Sequence, residues 1–179
     1  MNKPVKLASK EKVAAALDTP TDLSQEAVEK ISAAMNAILA DTFALYLKTK
    51  NFHWHVSGPH FRDFHLMFDE QAAEILGTTD EIAERVRKIG GTTLRSIGNI
   101  GKLQTLDDND EAFVPAHEML RELMNDNKKV VKALREAHEL TDEHNDSATT
   151  SLIENFIDAA EKRVWFLFEA SRAQGDNAR

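Results

Sequence analysis

The stretch FRDFHLMFDEQAAEILGTTDEIAERVRKI, residues 61–89, decides how this chain is read. Its apolar residues recur at helical spacing, and the helix carries two i,i+4 pairs of candidate ligands, His65 with Asp69 and Asp80 with Glu84. Each pair shares a helix face. At about 1.5 Å per residue, the steps from Asp69 to Asp80 span about 16 Å, so one metal ion cannot touch both pairs of a single chain. At roughly 100° per residue the same steps return to within about 20° of the starting direction, so the pairs lie along one stripe. A second copy of the helix, antiparallel across a two-fold axis near Glu74 or Ile75, would bring His65 and Asp69 of one chain to face Asp80 and Glu84 of the other. Two sites per dimer would result.

Composition sets the surroundings. A chain of 179 residues with 42% hydrophobic content suits one domain with an ordinary core. Only 7 Gly and 4 Pro interrupt long runs of Ala, Leu, Glu, Lys and Met, which predicts a nearly all-α fold. There is no Cys, so thiolate zinc sites, iron–sulfur clusters, disulfides and thiol catalysis drop out together. Any metal must be held by His, Asp or Glu, a set that suits iron, manganese or zinc. The first residues lack the apolar region of an export signal, and no apolar run approaches the ~18 residues of a spanning helix, so a cytoplasmic protein without membrane contact is expected. The formal charge of −8 disfavours generic nucleic-acid binding by the body. The first residues are the exception, with Lys3, Lys6, Lys10 and Lys12 against the single acid Glu11.

Along the chain, residues 1–23 form an expected flexible basic arm, 24–173 a bundle and 174–179 a frayed tail. Helices are predicted over about 24–52, 60–89, 113–138 and around 152–167. The first follows the breaker Pro20 and the capping residue Ser24, and ends near His53, before Gly58-Pro59. Gly90-Gly91 stops the second, and Phe113 is expected to open the apolar face of the third. Residues 92–110 make a long crossover in which Leu94, Ile97, Ile100 and Leu103 line a short helix. Four long helices with one long middle connection describe a ferritin-like bundle.

Taken singly, a carboxylate on a helix is a solvated residue and a histidine among apolar neighbours a structural one. Taken together, Asp80 and Glu84 are like charges one turn apart, and Asp69 adds a third if the dimer forms. Carboxylates with neutral imidazoles match Fe(II) better than thiol-preferring ions. An intrabundle di-iron centre built on Glu-x-x-His pairs is disfavoured. No such pair exists here: Val114, Arg135 and Thr141 stand three before His117, His138 and His144.

The segment Lys50-Asn51-Phe52-His53-Trp54-His55-Val56-Ser57-Gly58, followed by Phe64-His65-Leu66-Met67-Phe68-Asp69 and Thr79-Asp80-Glu81-Ile82-Ala83-Glu84-Arg85, resembles the signature of the Dps family of mini-ferritins. The likeness continues through Ile89-Gly90-Gly91 and returns at Lys162-Arg163-Val164-Trp165-Phe166-Leu167. That resemblance implies a hollow dodecamer that oxidises Fe(II), preferentially with hydrogen peroxide, at sites between two-fold-related subunits. Ferric mineral would be stored inside, and DNA protected from oxidative damage. His53 of one subunit with Asp80 and Glu84 of its neighbour would form the tighter iron site, His65 and Asp69 the weaker one, with Glu84 bridging. Trp54 would lie beside the irons and take up stray oxidising equivalents, although a core or interface aromatic is an equal reading. Where members of the family have Asn, this chain has His55, expected to be a surface turn residue. Acidic pores would draw in iron through Asp142, Glu143 and Asp146, with Ser147 and Ser151 where some relatives are acidic. The alternative function is compaction of DNA in the nucleoid by the arm lysines Lys3, Lys6, Lys10 and Lys12.

Overall fold

The computed structural model describes residues 16–172. Within them five helices follow in order: α1 Gln25–His55, α2 Phe61–Lys88, α3 Ile97–Leu103, α4 Ala116–Glu143 and α5 Ser147–Ser171. No strand occurs among the described residues, and the expected all-α ferritin-like bundle is the fold found. None of these helices is long and apolar enough to cross a membrane.

Each end of the long helices has a local cause. Ser24 caps α1, its Oγ accepting the Ala27 N–H at 3.2 Å. Gly90, at φ +91°, closes α2: its N–H donates to Arg87 O at 3.1 Å while that of Gly91 donates to Val86 O at 3.0 Å, the double bond of a left-handed helix stop. The third long helix differs from expectation at both ends. Pro115 disfavours the helical region for the residue before it, so α4 begins at Ala116 and Phe113 is left outside, 68% exposed. At its far end α4 continues to Glu143, and α5 starts at Ser147. The short helix forms, but buries none of its residues; Ile97 is 82% exposed.

The hairpins α1–α2 and α4–α5 pack together around Ile31, Met35 and Leu39 of α1, Phe68 and Ile75 of α2, Leu120 and Leu123 of α4, and Ile153 and Leu167 of α5, all buried. Each such side chain contributes roughly 1.5–3 kcal/mol relative to exposure. The crossover is held by polar side chains of α1. Asp41 Oδ1 accepts from Thr105 N–H (2.5 Å) and Leu106 N–H (3.0 Å), and its Oδ2 accepts from Thr105 Oγ1 (2.7 Å). Asn36 donates to Thr92 O at 2.8 Å, and Asn51 to Asn109 O at 3.2 Å. These bonds satisfy backbone groups that neither helix nor sheet provides for. Residues of the expected arm are tied down too: Arg87 Nη2 donates to Leu17 O at 2.7 Å and to Thr19 Oγ1 at 3.4 Å. Lys3, Lys6, Lys10 and Lys12 lie outside the described residues, as does 173–179.

Close packing at the end of α2 yields one prediction. A Cβ on Gly91 would stand 2.0 Å from Ser32 Oγ and 2.9 Å from Ser32 Cβ. Gly91→Ala is therefore expected to cost about 1–3 kcal/mol by overpacking. A double-mutant cycle in thermal unfolding checks the cause: in a Ser32→Gly background the same change should cost clearly less, and an equal cost in both would place the strain elsewhere.

Candidate metal centre

The last turn of α1 and the first turns of α2 bring His53 and His65 face to face. Their rings stack with centroids 3.8 Å apart and planes inclined by 26°. Each imidazole bonds the other residue's backbone: His53 Nδ1 lies 2.8 Å from His65 O, and His65 Nδ1 lies 2.8 Å from His53 O. A carbonyl oxygen only accepts, so the bonds assign the proton to Nδ1 on both rings and leave both Nε2 lone pairs free. Metal-binding histidines commonly have this tautomer, with the other ring N–H donated to a carbonyl that fixes the ring. His53 Nε2 stands 3.9 Å from Asp69 Oδ1.

Asp69 already faces a cation. Lys50 Nζ donates to its Oδ1 at 2.6 Å, and this bond, against a smaller effect of burial, holds the Asp69 carboxyl below its ordinary range. The same ammonium lies 5.9 Å from the ring centre of Trp54, whose side chain is 58% exposed. Lys50 is the residue that the sequence reading missed at this site. Its position one helical turn before His53 was the available signal.

Asp80 and Glu84 are exposed farther along α2, and Glu84 pairs with Lys88 at 3.0 Å. Among the described residues no three His, Asp or Glu side chains of one chain converge on a point that could hold a metal ion. The chain thus carries an imidazole-rich half and a carboxylate half, separated along one helix. Between them the stripe is unusual for a surface. Leu66 and Leu76 are each 41% exposed, and Ala73 and Gly77 are exposed beside them, with open space where a Gly77 Cβ would be. At roughly 100° per residue these residues and the three carboxylates share one face of α2.

The residues expected at a pore separate. Asp142 and Glu143 are exposed in the last turn of α4. Asp146 is buried: it caps α5 through the Thr149 N–H at 3.1 Å, accepts from the Thr149 hydroxyl, and receives Arg85 Nη2 at 2.5 Å. Its bonding capacity is taken up in joining α2 to α5. His55 is exposed and bonded to Asn51 O at 2.9 Å.

Comparison with known proteins agrees with this architecture. The Ferritin family model, described as a ferritin-like domain, matches residues 32–171. The chain is 32% identical over 145 residues to DNA protection during starvation protein 1 of Deinococcus radiodurans, covering 81% of this chain and 70% of that protein. It is likewise 32% identical over 137 residues to the DNA protection during starvation protein of Brevibacillus brevis, covering 76% of this chain and 91% of that one. Among solved structures, a Dps protein from Bacillus brevis superposes with a TM-score of 0.80 at 29% identity, over 84% of this chain and 100% of the other. With its long helices, its crossover and these matches, the chain belongs to the ferritin-like proteins and, among them, to the Dps family.

Proposed function

We propose that two copies of the chain pair through antiparallel α2 helices and complete two iron sites, each combining His53, His65 and Asp69 of one subunit with Asp80 and Glu84 of the other. The observation that carries this reading is the pair of imidazoles held where α1 meets α2, fixed through Nδ1 with Nε2 free, while the complementary carboxylates lie out of reach farther along α2. Ala73 and Gly77 between them let a second helix approach closely, and Leu66 and Leu76 supply apolar area to bury. Fe(II) is the substrate, and two ions beside each other deliver one electron each to hydrogen peroxide. The O–O bond accepts both electrons, two protons complete two waters, and no hydroxyl radical is released. The ferric product collects as mineral inside a dodecameric shell in the cytoplasm. Removing iron and peroxide together protects DNA without contact between protein and DNA. Trp54, exposed beside the imidazole half, is placed to take up an oxidising equivalent that escapes.

The reaction is tested by titrating Fe(II)-loaded protein with peroxide while following ferric absorbance and a radical trap. Two ferrous ions consumed per peroxide with a silent trap is the expected result. One ion per peroxide with trapped hydroxyl radical would remove the assignment.

The Lys50 ammonium occupies the place of a cation on Asp69 and must release the carboxylate before a metal binds there. Lys50→Met is accordingly expected to tighten the weaker site for the redox-stable probe Co(II) by about three- to tenfold. Calorimetric titration of the assembled protein measures this, and unchanged affinity would show that Lys50 does not compete.

A further inference from the structure

The middle of the bundle contains a group that the iron chemistry does not use. Arg163 of α5 is 6% exposed, and burial lowers its pKa against the opposing effect of Glu74. Its Nε donates to Asn127 Oδ1 at 2.8 Å, and the Asn127 amide is oriented in turn by donating to Leu123 O at 2.8 Å. Arg163 Nη1 has no hydrogen-bond partner among the described residues. The carboxylate near it is Glu74, whose Oε2 stands 3.9 Å from Nη1, beyond hydrogen-bonding reach, while its Oε1 accepts from Lys162 at 3.0 Å. A buried guanidinium N–H without an acceptor costs about 1–3 kcal/mol or more, so an occupant is called for.

Arg163 lines a cavity of about 20 Å³ together with Thr42, Thr78 and an apolar wall that includes Ile38, Leu45 and Phe156. One water needs roughly 10–15 Å³ by this measure and two to four polar partners. The threonines define what those partners ask for. Thr42 Oγ1 donates to Ile38 O at 2.7 Å and Thr78 Oγ1 donates to Ile75 O at 2.8 Å. Both hydroxyl protons are therefore engaged, and both oxygens are left as acceptors. A halide beside Arg163 would face two lone-pair oxygens, and a metal cation would face the guanidinium charge. Water accepts from Nη1 and donates to the threonines, which matches the lining on every side.

We propose that the bundle centre is a built binding site for a single water, bridging Arg163 to Thr42 and Thr78. In ferritin-like di-iron proteins the inward-facing helix positions supply carboxylates to metals. Here the lining of this cavity carries a guanidinium and no carboxylate, which suits water and disfavours a metal ion there. This holds independently of the inter-subunit iron sites.

Crystals of the full-length protein, native and soaked separately in bromide and in Co(II), test it by density and anomalous scattering. A water within hydrogen-bonding distance of Arg163 Nη1, with neither ion inside the bundle, is the expected result. An empty cavity, or an anomalous peak from bromide or cobalt there, would overturn it. A second measurement uses Thr78→Val, which removes an acceptor and should lower Tm by about 2–4 °C. In an Arg163→Met background, which removes the donor that anchors the water, the same change should cost clearly less, leaving only the loss of the Thr78–Ile75 bond. Equal losses in both backgrounds would refute the bridge, and if Arg163→Met fails to fold, Arg163→Lys serves as the background, with a reduced loss expected.

Discussion

Shells reassembled from an equal mixture of His53→Ala and Asp80→Ala chains are expected to recover about a quarter of the wild-type rate of Fe(II) oxidation. Each variant by itself should lose rate on the order of a hundredfold, because in the proposed arrangement every site takes His53 from one chain and Asp80 from its neighbour. A mixed dimer differs from both. One of its sites combines the two substitutions, while the other combines the intact His53 of one chain with the intact Asp80 of its partner. Random pairing makes half of the dimers mixed, and half of the sites in those are whole. Ferric absorbance after co-refolding reads the outcome. Were the site contained in one chain, no mixture would recover anything. The two halves lie about 16 Å apart on α2, so a helix would have to break for one chain to close the site alone.

The second large effect concerns the fold. Lys48→Met is expected to destabilise the protein by about 3–5 kcal/mol. Lys48 is buried between α1 and α4, bonded to Asp126 Oδ2 at 2.7 Å and Glu122 Oε1 at 2.9 Å. Removing the ammonium strands Asp126, whose side chain is only 4% exposed. Lys129, 3.6 Å away and 52% exposed, compensates only in part. Urea unfolding measures the loss, and the added change Asp126→Leu should restore most of it, since two apolar side chains replace a buried pair at little cost. The pH dependence follows with a definite sign. Burial pushes the Lys48 pKa down, but its hydrogen bonds and attraction to Asp126 and Glu122 outweigh this and leave it above the ordinary lysine value. Its stabilisation is therefore complete below that ordinary value and is lost as pH rises through the raised one. The wild type should show this alkaline decline, and Lys48→Met should lack it.

The chain order alone determined the helical class, the start of α1 at Ser24, the stop of α2 at Gly90 and the distance between the two ligand pairs. All of these rest on local chain geometry: the rise and turn of a helix, a capping hydroxyl, a left-handed glycine. Where the reading missed, a local term had been overlooked, as when Pro115 excluded Phe113 from α4. The tertiary structure decided what each polar group meets. Lys50 finds Asp69 across 19 residues, His53 finds the backbone of His65 across 12, Arg85 takes up Asp146 across 61, and Lys48 finds Asp126 across 78. A hydrogen bond forms or fails within a few tenths of an ångström, and that tolerance is set by the packing of whole helices against one another. Periodicity can place a side chain on a face; only the packed bundle supplies its partner.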